Sequence, residues 1–279
     1  MPPLSSNAPI GVFDSGIGGL SVLRALREEL PHERFVYLAD SAHTPYGEKG
    51  DAFVRGRSLA ITRHLVSEHA IKLLVVACNT ATAAAVHLLR DTFPDLAMVG
   101  VEPALKPAAH TSRTHHVGVL ATRGTVASAR FGELLARNNE HTQFSVQACD
   151  GLAQAIEQST LEPLPAAASL EKTRALCARY MGALGPFGTR DGEMDTLVLG
   201  CTHYVFAEPL LRELAGPGAA VARQAKRLLQ ERALLIDPGT RPHGGDVELY
   251  TSAAPTALQA AAQRWLSFPI SRCATVSLP

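Results

Sequence analysis

Two cysteines stand at the ends of short apolar runs, and this placement is the clearest sign of chemistry in the sequence. The runs are 73–77, which ends at Cys78, and 197–200, which ends at Cys201. Each run is too short for a helix and rich in aliphatic residues, a pattern typical of a buried parallel strand. Small polar residues follow each cysteine, so we expect each strand to deliver a thiol and neighbouring hydroxyl or amide donors to its carboxyl end.

Thiols at such strand ends lie where open α/β sheets bind ligands, whereas most buried cysteines are simply small hydrophobic residues. The second interpretation applies to Cys149, Cys177 and Cys273. For Cys78 and Cys201, we expect a following helix N-terminus to lower the thiol pKa and to attract an anion such as a carboxylate. Two thiols on opposite sides of one carbon suit a two-base inversion, in which a thiolate removes one proton and a thiol returns another.

Carboxyl and imidazole groups are candidates for tuning the two thiols through charge and hydrogen bonding. Asp14 ends the first predicted strand, His203 follows Cys201 by two residues, and Glu157 lies in a predicted helix. Each also has an ordinary structural interpretation. Asp14 suits a helix N-cap, His203 a solvated loop and Glu157 a helix surface.

Strands and helices alternate regularly in the first hundred residues. Apolar runs predict strands at 9–13, 35–39, 73–77 and 97–101, and helical periodicity predicts helices at 20–30, 51–69 and 80–90. Further helices are predicted at 152–159, at 169–184, on both sides of 216–218, and at 254–266. Regular alternation of this kind predicts parallel sheets with helices on both faces.

The pattern restarts in the middle of the chain. Residues 117–125 echo residues 10–16, and the second cysteine strand echoes the first. We therefore predict two similar doubly wound α/β domains with parallel sheets, related by a pseudo-twofold axis, with the active site in the cleft between them. The first domain would comprise 1–100 together with 219–279, and the second would comprise 101–218.

The composition of the chain indicates which class of molecule it binds. The chain has 26 basic and 26 acidic residues, which gives no electrostatic footprint for nucleic acid or a membrane surface and favours a small-molecule substrate. No apolar run approaches the roughly 18 residues of a membrane span, and residues 1–9 lack the regions of a signal peptide, so we expect a cytoplasmic protein. Five widely spaced cysteines without a CxxC pair predict neither a disulfide framework nor a zinc site.

A glycine-rich turn raises the alternative of NAD binding. Gly16 to Gly19, followed by Asp40, imitates a dinucleotide-binding fingerprint. However, Ser21 stands where the third glycine belongs, and Asp14 would repel a pyrophosphate. The histidines lack ligand-like spacing and no lysine ends a predicted strand convincingly, so we expect no metal, no pyridoxal phosphate and no other cofactor.

Several motifs together closely resemble those of glutamate racemases over nearly the whole chain. They are V-F-D-S-G-I-G-G at 12–19, P-Y-G at 45–47, A-C-N-T-A at 77–81, A-T with a following threonine at 121–125, and G-C-T-H-Y at 200–204. The resemblance implies cofactor-independent interconversion of L-glutamate and D-glutamate, the latter for peptidoglycan synthesis, by an enzyme that forms a homodimer. It leaves the dimer arrangement and activation by a cell-wall precursor undecided.

The resemblance also implies roles for individual residues. Cys78 and Cys201 would be the two acid/base residues, with Asp14 assisting Cys78, and His203 with Glu157 assisting Cys201. The residues implied to contact the substrate are Ser15, Asp40, Tyr46, Gly47, Asn79, Thr80, Thr125 and Thr202.

The sequence departs from the family pattern in two places. His43 stands where many members have arginine, and residues 219–223 resemble a helix that in the family follows a strand ending I-D-S-G, although here Ile236 and Asp237 come later. Three alternatives therefore stay open: a racemase of aspartate or a related acid, an NAD-dependent oxidoreductase, and a non-catalytic binding or regulatory protein on this fold.

Overall fold

The computed structural model describes residues 7–161, 167–216, 219–222 and 246–279. Its strands are β1 Ile10–Asp14, β2 Phe35–Ala39, β3 Leu73–Val76, β4 Ala97–Gly100, β5 His116–Ala121, β6 Gln143–Ala148, β7 Thr196–Gly200, β8 Ala220–Ala222, β9 Val247–Thr251 and β10 Arg272–Thr275. Its helices are α1 Leu20–Glu29, α2 Asp51–His69, α3 Asn79–Thr92, α4 Leu105–Thr111, α5 Arg123–Val126, α6 Ala129–Ala136, α7 Leu152–Leu161, α8 Ala167–Leu184, α9 Glu208–Ala215 and α10 Pro255–Trp265.

The strands form two parallel sheets. The larger sheet has six strands in the order β10-β9-β2-β1-β3-β4, and the smaller has four in the order β6-β5-β7-β8. Each cysteine strand lies inside its sheet, because β3 pairs with β1 and β4 while β7 pairs with β5 and β8. The two thiols therefore leave the carboxyl ends of strands flanked on both sides, as expected for ligand-binding edges of α/β sheets.

Alternation along the strands explains why the larger sheet is covered on both faces. Val12 and Val75 point into a core shared with α1 and α10, whereas Phe13 and Val76 point into a second core shared with α2 and α3. Because successive side chains of a strand point to opposite faces, a strand covered by helices on both sides must be apolar throughout. All five residues of β2, for example, are buried.

The expected α/β architecture is confirmed, with some differences in detail. Strands β6, β9 and β10 were not predicted, since each is partly exposed or follows a stretch without clear periodicity. Residues 220–222 form strand β8 beside β7 in the smaller sheet, where the sequence predicted a helix in the first domain. The domain boundary expected at 219 is therefore wrong for this segment.

The C-terminal segment adds β9 to the larger sheet beside β2, and β10 beside β9. The predictions for Ile236 and Asp237 lie outside the described residues. Within the described ranges, no helix is long and apolar enough to span a membrane.

Candidate active site

The first thiol, that of Cys78, sits between β3 and α3. Its backbone is extended and its sulfur accepts a hydrogen bond from Ala81 N at 3.5 Å, so the cysteine caps the helix that follows it. The Cys78 thiol also lies 3.9 Å from the hydroxyl oxygen of Ser15, to which it donates. Cys78 and Ser15 are both buried, so this thiol is shielded from bulk water.

A buried carboxyl group lies close to this thiol. Asp14 ends β1, and its Oδ2 accepts a hydrogen bond from Gly16 N at 3.0 Å. Burial raises the pKa of Asp14, partly offset by the positive charge of His203 and by the Gly16 amide. Burial also raises the pKa of the Cys78 thiol well above its ordinary value, and the neighbouring Asp14 raises it further. The expected lowering of this pKa by the helix N-terminus is therefore outweighed, because removing a thiolate from water costs more than one backbone amide returns.

The second thiol, that of Cys201, has different neighbours. Its sulfur lies 3.8 Å from Nδ1 of His203, and Nε2 of the same ring lies 2.5 Å from Oε2 of Glu157. His203 and Glu157 are both buried. A 3-10 turn, Thr202–Ala207, follows Cys201 in place of the α-helix N-terminus that the sequence predicted. The thiol is thus supported by an imidazole rather than by a helix.

The imidazole of His203 is held in its charged form. Burial lowers its pKa, but the hydrogen bonds with Cys201 and Glu157 and the negative charge of Glu157 outweigh burial, so the pKa of His203 lies well above its ordinary value. A thiol, an imidazole and a carboxylate in sequence form the arrangement that supports a thiolate next to an imidazolium. The ordinary interpretations of His203 as a loop residue and of Glu157 as a surface residue are wrong.

Hydrogen bonds to the two buried carboxylates join the two halves of the site across the cleft. Thr202, the residue after Cys201, donates its hydroxyl to Oδ1 of Asp14 at 3.2 Å. In return, Ile17 N donates to Oε2 of Glu157 at 3.0 Å. Each thiol's acidic neighbour is therefore held by the opposite half. Glycine is required at position 16, because an added Cβ would lie 2.5 Å from Glu157 Oε2.

Both thiols line one small cavity. Its walls are formed by Ser15, Pro45, Tyr46, Gly47, Cys78, Asn79, Thr80, Thr122, Ala153, Cys201, Thr202 and His203. Its volume is about 10 Å³, roughly the space of one water molecule. Residues from both halves of the chain meet here with side-chain hydroxyl, amide and thiol groups, which can hold the polar ends of a small molecule while two thiols face its centre.

The sequence comparisons agree with this geometry. The model of the Asp/Glu/hydantoin racemase family matches residues 10–223. The chain belongs to this family. It is 46% identical to the glutamate racemase of Ectopseudomonas mendocina over 92% of this chain and 97% of that protein, and 49% identical to the glutamate racemase of Stutzerimonas stutzeri over 82% and 84% of the two chains. The enzyme is an amino-acid racemase, and hence an isomerase, and the activity supported by these relatives is the racemisation of glutamate.

Solved structures of glutamate racemases match over nearly the whole length. The RacE1 isoform of Bacillus anthracis superposes with a TM-score of 0.83 at 26% identity, covering 99% of both chains. The Escherichia coli enzyme, solved with L-glutamate and the activator UDP-MurNAc-Ala, superposes with a TM-score of 0.80 at 29% identity, covering 98% of this chain and 99% of that one. The racemase therefore shares the two-domain fold of these enzymes.

The resemblance implies that Asp40 contacts the substrate, but in the structure its carboxylate is bonded to neighbouring side chains. Both carboxylate oxygens of Asp40 accept hydrogen bonds from the guanidinium of Arg57, at 2.9 and 3.0 Å, and Oδ2 also accepts from the hydroxyl of Tyr46 at 2.6 Å. His43 lies 3.0 Å from Oδ1. Although burial raises the pKa of Asp40, these partners together hold it below its ordinary value. In the racemase, Asp40 supports the position of Tyr46, a wall of the cavity.

Several contributors to the site are not among the residues predicted from the sequence. Arg57 is one of them, although it lies three residues after Val54 and four before Ile61 on the buried face of α2, a pattern that indicates a charged residue with a buried partner. Tyr37, a hydroxyl in an otherwise apolar strand, donates to Gly16 O at 2.6 Å and so fixes the glycine turn. Thr122 links the hydroxyls of Thr80 and Thr125, at 2.9 Å from each.

The glycine turn does not resemble a dinucleotide site in its surroundings. The space above Gly16 is filled by the carboxylate of Glu157, and Asp14 Oδ2 accepts from the Gly16 amide. Two carboxyl groups thus occupy the place where a pyrophosphate would bind, and the ribose-binding candidate Asp40 is paired with Arg57. In the described part of the chain, no group of three or more histidine, cysteine or acidic side chains is arranged to hold a metal ion.

Proposed function

We propose that the enzyme racemises glutamate by a two-base mechanism in which Cys78 and Cys201 exchange protons with opposite faces of the α-carbon. The observation that carries this proposal is that both thiols line the same cavity from different sheets, each with its own acidic neighbour. A thiol on each face allows one group to remove the α-proton while the other donates, which inverts the stereocentre without any cofactor.

The surroundings of the thiols assign the order in which they act. Cys201 acts as the first base, because the imidazole of His203 lies beside its sulfur, can take its proton and is held by Glu157. Cys78 begins as the thiol, because burial and Asp14 raise its pKa. In one direction Cys201 takes the α-proton and the S–H bond of Cys78 breaks to protonate the opposite face. The products are a neutral Cys201 thiol and a Cys78 thiolate, which is the starting state for the reverse direction.

Asp14 and Ser15 support the Cys78 thiolate in this scheme. Burial raises the pKa of Asp14, so this carboxyl group is easier to protonate than an exposed aspartate and can share a proton with the thiolate. Ser15 can rotate its hydroxyl to donate to the same sulfur. Charge therefore stays balanced on the Cys78 side through neighbouring acid groups, whereas on the Cys201 side it is balanced by an ion pair.

The substrate carboxylates are assigned to the polar walls of the cavity. Amide and hydroxyl groups of Asn79, Thr80 and Thr202 stand directly after the two thiols, where they can donate to the α-carboxylate. Tyr46 and Gly47 close the cavity from the side of the first domain. The resemblance adds Ser15, Asp40 and Thr125 as substrate contacts. The hydroxyl of Thr125 accepts a hydrogen bond from Thr122, which lines the cavity, so we assign Thr125 a role in placing Thr122.

The cellular role follows from the reaction. D-Glutamate is a building block of peptidoglycan, so the proposed reaction supplies cell-wall synthesis. We place the enzyme in the cytoplasm, where all five cysteines would stay in the free form that the structure has. We further propose that it acts as a homodimer, which sedimentation of the purified protein measures directly.

Exchange of the substrate α-hydrogen in deuterated water tests substrate and chemistry together. Incubated with L-glutamate or D-glutamate, the purified protein should incorporate deuterium at the α-carbon while the optical rotation decays toward zero. L-Aspartate in a parallel sample should exchange far more slowly. Faster exchange of aspartate would assign the enzyme to the other acidic substrate, and an absence of exchange with every acidic amino acid would overturn the proposal.

A further inference from the structure

A contact at the mouth of the cleft joins the two halves of the enzyme outside the catalytic groups. The carboxylate Oε1 of Glu48 accepts a hydrogen bond from the backbone N of Gly151 at 2.7 Å. Glu48 ends the 3-10 turn Tyr46–Glu48 between β2 and α2, and Gly151 directly precedes α7 beyond β6. The bond therefore runs from the larger-sheet half to the smaller-sheet half.

The residues beside Glu48 form the wall of the catalytic cavity. Gly47 packs so closely on Thr122 that an added Cβ would lie 2.5 Å from the Thr122 Cβ. Tyr46 is fixed in the first half by its bond to Asp40, which in turn is held by Arg57. The turn is thus anchored firmly on one side of the cleft, and its last residue reaches across to the other.

The cavity behind this turn has a volume of about 10 Å³, much smaller than any amino acid. A larger cavity of about 710 Å³ reaches Asn79, Cys201 and Thr202 from the side of α1, but its lining does not include Cys78, Tyr46 or Gly47. The space between the two thiols must therefore widen for a substrate, and on the side of Cys78 this requires the turn and the opposing residues to move apart. The Glu48 bond to Gly151 joins the two walls that must separate. It is partly exposed to solvent, so it can break and reform without leaving a buried group unsatisfied.

The helix that begins after Gly151 also carries a catalytic neighbour. Glu157 lies in α7 and bonds both His203 Nε2 and Ile17 N. A negative charge at the start of α7 is favourable, because the helix N-terminus carries partial positive charge and unpaired N–H groups. Glu48 thereby holds the helix that supplies the carboxylate behind Cys201.

We propose that Glu48 is a positioning residue that latches the mouth of the cleft, holding α7 and the cavity wall together during proton transfer and releasing them for substrate exchange. This inference rests on the proposed function for its kinetic consequences. Its structural content, a closed mouth in front of the Cys78 thiol, can be tested without substrate.

Alkylation of the thiols by iodoacetamide, followed site by site by mass spectrometry, measures how often the mouth opens. In Glu48→Ala, we expect Cys78 to react about fivefold faster than in the unmodified protein, a ratio typical of the loss of one hydrogen bond. Cys201, which also lines the larger cavity, should change less. Glu48→Gln keeps an acceptor oxygen and should restore much of the protection. Cys149 and Cys177, buried in the smaller-sheet half, should react at unchanged rates and so report an intact fold.

Glu133→Ala provides the matched control, because Glu133 is an exposed glutamate paired only with Arg137 on its own helix among the contacts described here. It should leave all alkylation rates unchanged. In turnover, Glu48→Ala should raise KM about fivefold and weaken the dependence of kcat on solvent viscosity, since opening becomes easier.

Unchanged alkylation of Cys78 in Glu48→Ala would overturn the latch. Equal acceleration of all buried thiols would also overturn it, since that result indicates general loosening of the fold. A protein without racemase activity would contradict the proposed function, yet the alkylation comparison would still decide whether Glu48 holds the mouth closed.

Discussion

The two thiol environments differ although the strands that deliver them are alike. Cys78 stands beside a carboxyl group and a hydroxyl, with its pKa raised by burial and by Asp14. Cys201 stands beside an imidazole backed by a carboxylate. The difference shows that two similar strands can place their thiols beside unlike acid/base groups, and under the proposed mechanism such unlike groups would serve the two faces of one substrate.

The cross-bonds show why the two environments are not independent. Asp14 belongs to the Cys78 side but accepts from Thr202, and Glu157 belongs to the Cys201 side but accepts from Ile17 N. Opening the cleft would break both bonds at once. If the halves separate to admit substrate, each thiol would lose part of its environment, so we expect substrate enclosure and acid/base readiness to be coupled.

Replacing either thiol should give the largest effect. In Cys78→Ser and in Cys201→Ser, we expect racemisation to fall at least about 10³-fold, because a hydroxyl is a far weaker acid than a thiol and general acid/base catalysis is worth this much. Exchange in deuterated water sharpens the comparison. Each variant keeps one thiol, so each should exchange the α-hydrogen of only one enantiomer. The two variants should act on opposite enantiomers.

Near-normal racemisation in both directions by either serine variant would break the two-base scheme. Exchange of the same enantiomer by both variants would remove the assignment of one thiol to each face. Cys273→Ser serves as the control, since Cys273 lies in β10 at the far edge of the larger sheet. Its racemisation should match that of the unmodified enzyme.

Much of this comparison was visible in the sequence. The strands ending at Cys78 and Cys201 were predictable, because an apolar run with a polar stop is a local pattern that burial on both faces dictates. The roles of His203 and Glu157 needed the family resemblance, since a histidine in a loop and a glutamate in a helix carry no local sign of their meeting. The pairing arises from contacts 46 residues apart.

Other features depended on contacts that no local pattern encodes. The pKa of Cys78 was expected to be lowered by the helix that follows, but complete burial beside Asp14 decides its direction. Strand β8 lies where a helix was expected, because pairing with β7 overrides the helical preference of an alanine-rich segment. Arg57 and Asp40 likewise acquire their roles only when α2 packs across the end of β2.

Replacing the imidazole should have the next largest effect. His203→Gln removes the cation beside Cys201 while keeping a hydrogen-bonding side chain, and we expect kcat to fall by about 10²-fold. Activity of the unmodified enzyme should decline as pH rises through the raised pKa of His203, because the imidazolium is lost there. The variant should lack that decline. His116→Gln is the control, because His116 is a half-exposed histidine at the start of β5 in the smaller sheet. This variant should keep normal kinetics.

A smaller loss in His203→Gln than in Asp14→Asn would break the assignment of the first base to Cys201. The pH profile provides a second criterion. If the alkaline decline persists unchanged in the variant, another group must be responsible for it.

Asp14 offers a test in which activity and stability move in opposite directions. Its pKa is raised above the ordinary 3.8, so the folded protein binds its proton more tightly than the unfolded chain does. Stability therefore falls as pH rises from that ordinary value through the raised pKa of the folded state. Asp14→Asn removes this cost, so Tm at neutral pH should rise.

The same variant should lose activity, by about 10-fold to 100-fold, because the amide cannot share a proton with the Cys78 thiolate. Calorimetry and racemisation assays on one preparation measure both changes. A lower Tm together with lower activity would indicate that Asp14 is mainly structural, and would leave the Cys78 environment with only Ser15 as a proton partner.

The smallest effect should come from a residue that serves both sides equally. Thr122, from the smaller-sheet half, lines the cavity and bonds the hydroxyls of Thr80 and Thr125. None of its hydrogen bonds among the described residues involves either catalytic sulfur. Thr122→Val keeps the shape and removes the hydroxyl, so KM should rise about fivefold, as for one lost hydrogen bond, while kcat changes little. Thr122→Ser restores the hydroxyl and should restore KM.

Because Thr122 favours neither thiol, the increase in KM should be the same for L-glutamate and for D-glutamate. An increase confined to one enantiomer would show that the threonine hydroxyls belong to one half-site, and the substrate would then be held asymmetrically as well as deprotonated asymmetrically. Equal increases would locate the difference between the two halves in the thiols and their acidic neighbours alone, because the groups that hold the substrate would treat both enantiomers alike.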